Sequence, residues 1–317
     1  MIDQSQVQKA NTIIKNIVEN IETVMYGKTE VIEMALLALI ADGHVLIEDV
    51  PGTGKTSMVA ALAASTDCNF HRIQFTPDVM PSDITGFSIF NQKTREFEFK
   101  PGGIMSNIVL ADEINRASAK TQSALLEAME ERQVSVDNNT YKLDDPFMVL
   151  ATQNPVEEYG TYPLPEAQVD RFLIKISVGY PEFSEELRVL QREFDAKSKV
   201  RPVATAQDIR ELRALAREVT VSVDVYRYIL ELVTATRSNP EILLGSSPRG
   251  GLALTALCRA NALLQNRSYV VPDDVKKLAP YALCHRIRLD HNAKVQGRTE
   301  QDVMAGIISS VAVPVGA

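Results

Sequence analysis

The stretch His44-Val-Leu-Ile-Glu-Asp-Val-Pro-Gly-Thr-Gly-Lys-Thr56 decides which fold this sequence predicts. It begins with a short apolar run typical of a buried strand, continues through a glycine-rich loop, and leads into a helical pattern that starts at Lys55. In such a strand–loop–helix unit, the N–H groups of the loop and of the first helical turn point at one anion. The stretch therefore predicts a phosphate-binding α/β protein.

Three residues of this stretch bear on how phosphate would be bound. Lys55 supplies a flexible positive charge for the terminal phosphates of a nucleotide, and the Thr56 hydroxyl is a ligand that suits Mg²⁺. The general pattern for such loops, GxxxxGK[ST], has glycine where this chain has Asp49. The alternative is a glycine-rich loop with an incidental lysine, which the order of strand, loop and helix disfavours.

Short strands continue through the first 180 residues of the chain. Four further apolar runs predict strands, at 70–75, 108–111, 147–151 and 172–176. Helical patterns lie between some of them, the clearest at 118–131, and strands that alternate with helices favour a parallel sheet covered on both faces. Two segments that alternate at period two around polar turns, 87–100 and 134–143, predict inserted β-hairpins.

Helical patterns fill the chain beyond Tyr180. They lie at about 184–198, 205–217, 222–237, 248–266 and 272–290. We therefore expect two domains, an α/β nucleotide-binding core over 1–180 and a smaller all-helical domain over 181–317, because one core rarely grows to the size of the whole chain.

The composition excludes several classes of protein. The 317 residues are 45% hydrophobic and 23% charged, which is typical of a folded protein and not of a disordered or collagen-like one. The formal net charge of −8 argues against a nucleic-acid partner. Neither CxxC nor HExxH occurs, so nothing suggests a protein-built zinc site. Without a signal-peptide pattern or an apolar run long enough to span a membrane, we expect a cytoplasmic protein.

Two of the predicted strands end in polar residues. The strand at 108–111 is followed by Asp112, which would hold a metal ion, and by Glu113, which would polarise an attacking water. The strand at 147–151 leads to Asn154, which could hydrogen-bond a terminal phosphate or orient the water. Both ends could equally be solvated turns, and Asn154 in particular could begin a turn with Pro155.

Two arginines are candidates for contact with phosphate. Arg171 precedes the strand at 172–176, and Arg249 stands at the start of the helix at 248–266. A guanidinium matches the charge and shape of phosphate oxygens during phosphoryl transfer. Each arginine alone could be an ordinary surface residue.

Five motifs, in this order and with suitable spacing, resemble those of the MoxR family of AAA+ ATPases over nearly the whole chain. They are Glu48-Asp-Val-Pro-Gly-Thr-Gly-Lys-Thr56, Asp112-Glu-Ile-Asn-Arg-Ala117, Ala151-Thr-Gln-Asn-Pro155, Leu164-Pro-Glu-Ala-Gln-Val-Asp-Arg-Phe172 and Ser247-Pro-Arg249. The resemblance implies an AAA+ parallel-sheet domain that carries the two hairpins as inserts and is followed by a helical lid. Aspartate at position 49 is compatible with that family.

The resemblance also implies a role for each candidate residue. ATP or ADP would be bound by an adenine-contacting pair and by the Walker A loop, namely Tyr26, Gly27, Pro51, Gly52, Thr53, Gly54, Lys55 and Thr56. Asp112 would hold Mg²⁺ together with the Walker A threonine, and Glu113 would activate water. Asn154 would be sensor 1, Arg171 the arginine finger given to a neighbouring subunit, and Arg249 sensor 2, which reaches from the lid.

By the same resemblance, the chain would hydrolyse ATP as a chaperone-like remodeller that matures protein complexes or helps to insert metal cofactors. It would assemble into a ring, most simply a hexamer, and act with a partner that carries a von Willebrand factor A-type domain. Three alternatives stay open: a nucleic-acid motor of the same clade, a metal-chelatase ATPase subunit, and a passive nucleotide switch. The Asp112–Glu113 pair disfavours the passive switch, and Arg116 is the second candidate for the arginine finger.

Overall fold

The computed structural model describes residues 2–50, 52–155, 161–180, 183, 186–187 and 200–314. The strands, in chain order, are β1 (Val45–Glu48), β2 (Phe70–Gln74), β3 (Gly86–Asn91), β4 (Glu96–Pro101), β5 (Ile108–Asp112), β6 (Gln133–Val136), β7 (Asn139–Lys142), β8 (Met148–Gln153), β9 (Ile174–Ile176), β10 (Ile242–Leu244) and β11 (Arg288–Leu289). The helices are α1 (Gln4–Glu22), α2 (Thr29–Ile40), α3 (Lys55–Ser65), α4 (Pro81–Thr85), α5 (Ala119–Glu131), α6 (Glu166–Val169), α7 (Ala206–Glu218), α8 (Val223–Ser238), α9 (Pro248–Leu264), α10 (Pro272–Leu283), α11 (His291–Val295) and α12 (Glu300–Ser310). The helix predicted at 184–198 lies, apart from Glu186 and Leu187, outside the described residues.

A five-stranded parallel sheet forms the centre of the core, in the order β2-β5-β8-β1-β9. Successive side chains of an inner strand enter different apolar cores: Leu110 of β5 packs on one side of the sheet and Val109 on the other. A parallel strand covered on both faces needs apolar side chains throughout, which explains the near-continuous apolar runs of β1, β5 and β8. The predicted α/β class is confirmed.

The direction of the strands brings distant parts of the chain to one edge of the sheet. Glu48 at the end of β1 pairs in register with Gln153 at the end of β8, and Gln74 pairs with Asp112. The glycine-rich loop after β1 therefore lies at the same edge as the residues that follow β5 and β8. Ligands of open α/β sheets bind at this carboxyl edge.

Both predicted hairpins are present as inserts. The strands β3 and β4 pair in antiparallel fashion, as do β6 and β7. Asp137 and Asn138 join β6 to β7 with φ angles of 49° and 67°, the left-handed geometry of a two-residue turn that follows the twist of a hairpin. Phe99 of β4 stacks on Tyr141 of β7 with ring centroids 3.9 Å apart, so the two inserts contact each other.

The second domain is helical, with one addition that the sequence analysis did not predict: β10 and β11 form a short antiparallel pair. The helix predicted at 272–290 is too long, because α10 ends at Leu283, a single 3₁₀ turn follows over Cys284–Arg286, and the chain then enters β11. Beyond position 290, α11 and α12 were also not predicted.

The first two helices pack against the second domain as well as against the sheet. The Asn11 side chain of α1 donates to the carbonyl of Leu263 at 3.3 Å, and the Tyr281 hydroxyl donates to the Glu30 carboxylate at 2.7 Å. One continuous apolar core joins these elements. The domain boundary near residue 180 stays a prediction. Within the described part of the chain, no helix is long and apolar enough to cross a membrane.

Candidate functional site

The glycine-rich loop has the backbone conformation that only glycine adopts without strain. Gly52 and Gly54 have φ angles of 87° and 84°. A Cβ atom built on Gly52 would meet nothing within 4 Å, so glycine is needed there for its conformation and not for space. Gly54 precedes α3, whose first residue is Lys55. Pro51, a predicted site residue, lies outside the described residues.

A cavity of about 390 Å³ opens at the carboxyl edge of the sheet beside this loop. Its volume is in the range of small-ligand sites, roughly 300–1,000 Å³. Eight predicted site residues line it: Gly52, Thr53, Gly54, Lys55, Thr56, Asp112, Glu113 and Asn154. Residues that are separated by about 100 positions in the chain are thus brought together, because β1, β5 and β8 are neighbours in the sheet.

The Lys55 side chain turns back over its own loop. Its Nζ atom donates to the carbonyl oxygen of Val50 at 2.7 Å and to that of Asp49 at 3.3 Å. Backbone carbonyls are weak partners for a full positive charge compared with phosphate oxygens. A phosphate in the cavity would therefore draw the lysine away from these two carbonyls.

The Asp112 carboxylate is bound on both of its oxygens. Its Oδ1 atom accepts from the Thr152 hydroxyl at 2.6 Å, and its Oδ2 atom accepts from two nitrogens of Arg72, at 2.6 and 3.1 Å. Neither Arg72 nor Thr152 was among the predicted site residues. Arg72 is a polar residue within the strand predicted at 70–75, and Thr152 directly follows the strand predicted at 147–151; these positions were the available signals.

Glu113 follows β5 in a left-handed conformation, with a φ of 58°. Its backbone N–H donates to the Thr152 hydroxyl at 2.8 Å. Its Oε2 atom accepts from the Gln74 side chain at 2.9 Å and forms an ion pair with Arg116 at 3.2 Å. Gln74 was also not predicted. The carboxylate is therefore held at the rim of the cavity by groups from two different elements.

The donor set of this cavity suits Mg²⁺. The Thr56 hydroxyl and the Asp112 carboxylate both line it, and hydroxyl and carboxylate oxygens are the ligands that this ion prefers. Thr152 hydrogen-bonds one carboxylate oxygen and Arg72 pairs with the other, so Arg72 would have to release that oxygen for an ion to bind it. With that change, the residues present fit a magnesium ion.

Tyr26 and Gly27, the predicted adenine-contacting pair, do not line the cavity. The segment passes close to the loop at Met25, whose Cε atom lies 4.0 Å from a Cβ built on Gly54. Gly27 has a φ of 69°, which allows the chain to turn between α1 and α2. The structure thus places Met25, the neighbour of this pair in the chain, next to the phosphate-binding loop, and the adenine contact stays a prediction.

Arg171 and Arg249 lie elsewhere. Both bind one carboxylate, that of Glu130: Arg171 at 3.0 Å and Arg249 at 2.6 Å. They line a second cavity of about 350 Å³, which shares no described residue with the first. Arg171 precedes the amino end of β9, whereas the loop follows the carboxyl end of the parallel β1. The two arginines are thus at the opposite edge of the sheet from their own loop.

The lid holds the segment that carries Arg171. Arg286, at the turn after α10, forms an ion pair with Asp170 at 2.8 Å and donates to the carbonyl of Phe172 at 2.6 Å. The Ser247 hydroxyl donates to the other oxygen of Asp170 at 2.9 Å. Burial lowers the pKa of Arg286, and the Asp170 charge opposes that shift. Arg171 is therefore flanked on both sides by residues fixed to the lid.

Comparisons with known proteins agree with this architecture. A model of the AAA family, described as the ATPase family associated with various cellular activities, matches residues 44–174. A model of the AAA lid domain matches residues 234–307. These two matches cover the loop, both carboxylates and Asn154 in the core, and Arg249 in the lid.

Individual proteins are similar over nearly the whole chain. YeaC of Bacillus subtilis is 54% identical over 300 residues, and the match covers 94% of each protein. The chaperone MoxR1 of Mycobacterium tuberculosis is 40% identical over 303 residues, with 93% of this chain and 80% of that one covered. The crystal structure of a proposed ATPase from Cytophaga hutchinsonii superposes with a TM-score of 0.92 at 41% identity, covering 98% of both chains.

Proposed function

The chain belongs to the MoxR family of AAA+ ATPases, and we propose that it binds ATP with Mg²⁺ and hydrolyses it in the cavity at the carboxyl edge of the sheet. The observation that supports this most directly is the convergence of Lys55, Asp112 and Glu113 on one cavity beside a loop whose glycines are left-handed. Lysine, a metal-binding carboxylate and a second carboxylate are the groups that phosphoryl transfer to water requires.

Each residue of the cavity has its own role in this reaction. The loop N–H groups and Lys55 bind the phosphates, and the adenine lies towards Tyr26 and Gly27. Thr56 and Asp112 would hold Mg²⁺, which would neutralise negative charge on the phosphates. Glu113 accepts a proton from the attacking water, and Asn154 orients that water.

Arg171 and Arg249 act in trans, on the nucleotide of a neighbouring subunit. Their place at the opposite edge of the sheet supports this, because neither lines the cavity of its own loop. The single negative charge of Glu130 balances only one of the two guanidinium groups bound to it. The second positive charge can therefore pair with a phosphate of the neighbouring subunit's nucleotide. The sequence analysis expected Arg249 to reach a nucleotide from the lid as sensor 2, without assigning that nucleotide to a subunit. A ring, most simply a hexamer, places each arginine pair against the next site.

ATP hydrolysis would drive chaperone-like remodelling in the cytoplasm, in the maturation of protein complexes or the insertion of metal cofactors. The name of the 40% identical relative, a chaperone, supports this role. A partner with a von Willebrand factor A-type domain would present the client. A Glu113→Gln variant that binds ATP without hydrolysing it should retain such a partner in a pull-down, and the Lys55→Ala variant is the matched control.

The nucleic-acid motor has weaker support. The hairpin of β3 and β4 carries Lys93, Arg95 and Lys100, but Glu96 and Glu98 lie among them, so it offers no uniform positive surface. A metal-chelatase subunit would use the same cavity with another partner. Salt-dependent binding to DNA, measured by fluorescence anisotropy, would favour the motor.

The test of the proposed activity is the Lys55→Ala variant. We expect it to fold and to lose nucleotide binding, because it removes the lysine charge that faces the phosphates and leaves only backbone donors. Isothermal titration with ADP and Mg²⁺ measures this. Binding as tight as that of the wild type would contradict the assignment of the cavity.

A further inference from the structure

Asp49 stands where the general phosphate-binding loop has glycine, and neither the proposed chemistry nor the fold class explains it. The residue is only 8% exposed. A buried carboxylate is costly unless its oxygens are hydrogen-bonded. A residue of this kind at the entrance of an anion-binding loop therefore requires a specific set of partners.

Three backbone N–H groups supply those partners. The Oδ1 atom accepts from the N–H of Val50 at 2.8 Å. The Oδ2 atom accepts from the N–H groups of Val178 and Gly179, at 2.9 and 2.8 Å. Charge-assisted bonds from backbone N–H groups stabilise a carboxylate strongly and fix its orientation. The side chain thus connects the loop to a segment about 130 residues further along the chain.

That segment is the path by which the chain leaves the core sheet. Val178 and Gly179 follow β9, which ends at Ile176, and they precede the lid in sequence. Gly179 has a left-handed φ of 66°. Lys28 donates to the carbonyl of Tyr180 at 2.8 Å and so fixes the next residue. We call residues 177–180 the exit segment.

The backbone of Asp49 is in contact with the phosphate-binding lysine. Its carbonyl oxygen accepts from Lys55 Nζ at 3.3 Å, next to the carbonyl of Val50 at 2.7 Å. One residue therefore contacts Lys55 through its main chain and the exit segment through its side chain. When Lys55 moves to a phosphate, the partners of this main-chain carbonyl change.

We propose that Asp49 is a positioning residue that couples phosphate binding in the loop to the conformation of the exit segment, and thereby to the lid. The inference rests on the proposed function, since it needs a nucleotide in the cavity. Glycine at this position would restore the general loop pattern but would remove all three side-chain hydrogen bonds.

The experiment uses the full chain with Asp49→Gly and Asp49→Asn. Asp49→Asn keeps the shape of the side chain but places an amide NH₂ against backbone N–H donors. Because it does not introduce the backbone flexibility of glycine, it separates the loss of the hydrogen bonds from that flexibility. Glu48→Gln is the matched control. Glu48 also joins β1 to neighbouring strands, through Lys175 at 2.8 Å and Gln153 at 3.0 Å, and neither of these bonds involves the exit segment. Thermal unfolding monitored by circular dichroism checks that each variant is folded.

Two quantities are measured, the affinity for ADP with Mg²⁺ by titration calorimetry and the hydrogen exchange of the exit segment by mass spectrometry. In the wild type, nucleotide should change the exchange of the Val178 and Gly179 amides. In both Asp49 variants we expect faster exchange that no longer responds to nucleotide, and an affinity lower by about tenfold. The Glu48→Gln protein should behave as the wild type.

The outcomes separate this inference from the function on which it rests. If the wild type does not bind nucleotide, the proposed function fails. If the wild type binds and Asp49→Gly binds equally well with a nucleotide-dependent exit segment, the coupling is overturned. Faster exchange with unchanged affinity and an unchanged response to nucleotide would also overturn it, because Asp49 would then be a local cap of the exit segment.

Discussion

At the scale of single residues, one hydroxyl joins the Asp112 carboxylate to the backbone of Glu113. Thr152 Oγ1 donates to Asp112 at 2.6 Å and accepts from the N–H of Glu113 at 2.8 Å. The side chain is almost completely buried. A hydroxyl has one proton to donate and lone pairs to accept, so it can satisfy both groups at once. The position of the Glu113 backbone relative to the Asp112 carboxylate therefore depends on a residue from the neighbouring strand.

Thr152→Val should impair both stability and turnover. Valine has the same shape but leaves the N–H of Glu113 without a partner, which costs about 1–3 kcal/mol of the free energy of unfolding. The position of Glu113 is also loosened, so kcat should fall more than the affinity for ATP. Chemical denaturation and phosphate release measure the two effects. The control is Thr121→Val, which removes a buried hydroxyl that donates to the carbonyl of Val79; equal loss of turnover there would contradict the argument.

Glu113→Gln should bind ATP but hydrolyse it slowly. The amide keeps the size of the side chain and loses the ability to accept a proton from water, a loss that usually costs about 10²–10⁴-fold in rate. Calorimetry gives the affinity and a phosphate-release assay gives the rate. An unchanged rate would mean that another residue activates the water.

At the scale of elements, the parallel register of β1, β5 and β8 brings the loop and the two polar strand ends together. Behind that edge, His44 precedes β1 and is buried. Its Nδ1 atom accepts from the N–H of Val149 at 3.0 Å, and its Nε2–H donates to the carbonyl of Met129 at 3.2 Å. This neutral ring fastens β1 to β8 and to α5. Burial, and then the charge of Arg132, lowers its pKa to about 3.

This buried histidine should make the protein less stable in mild acid. In the unfolded chain, His44 takes up a proton below a pKa of about 6.5, whereas in the folded chain it stays neutral until about pH 3. Protons therefore favour the unfolded state, and stability falls as the pH drops between these values, by about 2 kcal/mol from pH 7 to pH 5. Urea unfolding at both pH values measures the difference.

The His44→Gln variant should lose this part of the pH dependence, even if it is less stable overall. His71→Gln removes an exposed histidine and is the control. Burial also lowers the pKa of His285, so some loss of stability in acid should remain in the His44 variant. A pH dependence equal to that of the wild type would contradict the role given to His44.

At the scale of the whole molecule, the site and its arginines lie at opposite edges of one sheet. The lid fixes the arginine edge, through Arg286 and Ser247 on Asp170. Because Arg171 and Arg249 do not line their own cavity, a single subunit should be a poor ATPase. Activity per chain should rise with protein concentration as subunits associate, since an arginine supplied by a neighbour is worth on the order of 10³–10⁵ in rate.

Mixing two inactive variants tests this arrangement. Arg171→Ala should bind ATP without hydrolysing it, and Lys55→Ala should not bind ATP. In a mixed assembly, some sites combine an intact loop with an intact arginine, so partial phosphate release should return. Native mass spectrometry confirms that mixed assemblies have formed. If no activity returns in them, Arg171 is an ordinary ion-pairing residue, and Arg116, which contacts Glu113, becomes the next candidate.

The sequence by itself determined the features that depend on local order. The strand–loop–helix unit around Lys55, the two hairpins and the polar ends of β5 and β8 were all predicted, because apolar periodicity and turn residues act over a few neighbouring positions. The length of α10 was predicted wrongly, since its end depends on the pairing of β11 with β10 and on the contacts of Arg286 with the core.

Only the tertiary structure decided which side chains meet across strands and domains. The bonds of Thr152 and Arg72 with Asp112, the shared carboxylate of Arg171 and Arg249, and the bonds of Asp49 with the exit segment join residues 40 to 130 positions apart. No local pattern specifies such pairs. They follow from strand register and from the packing of the lid, because a side chain finds its partner only after the elements that carry both have been placed.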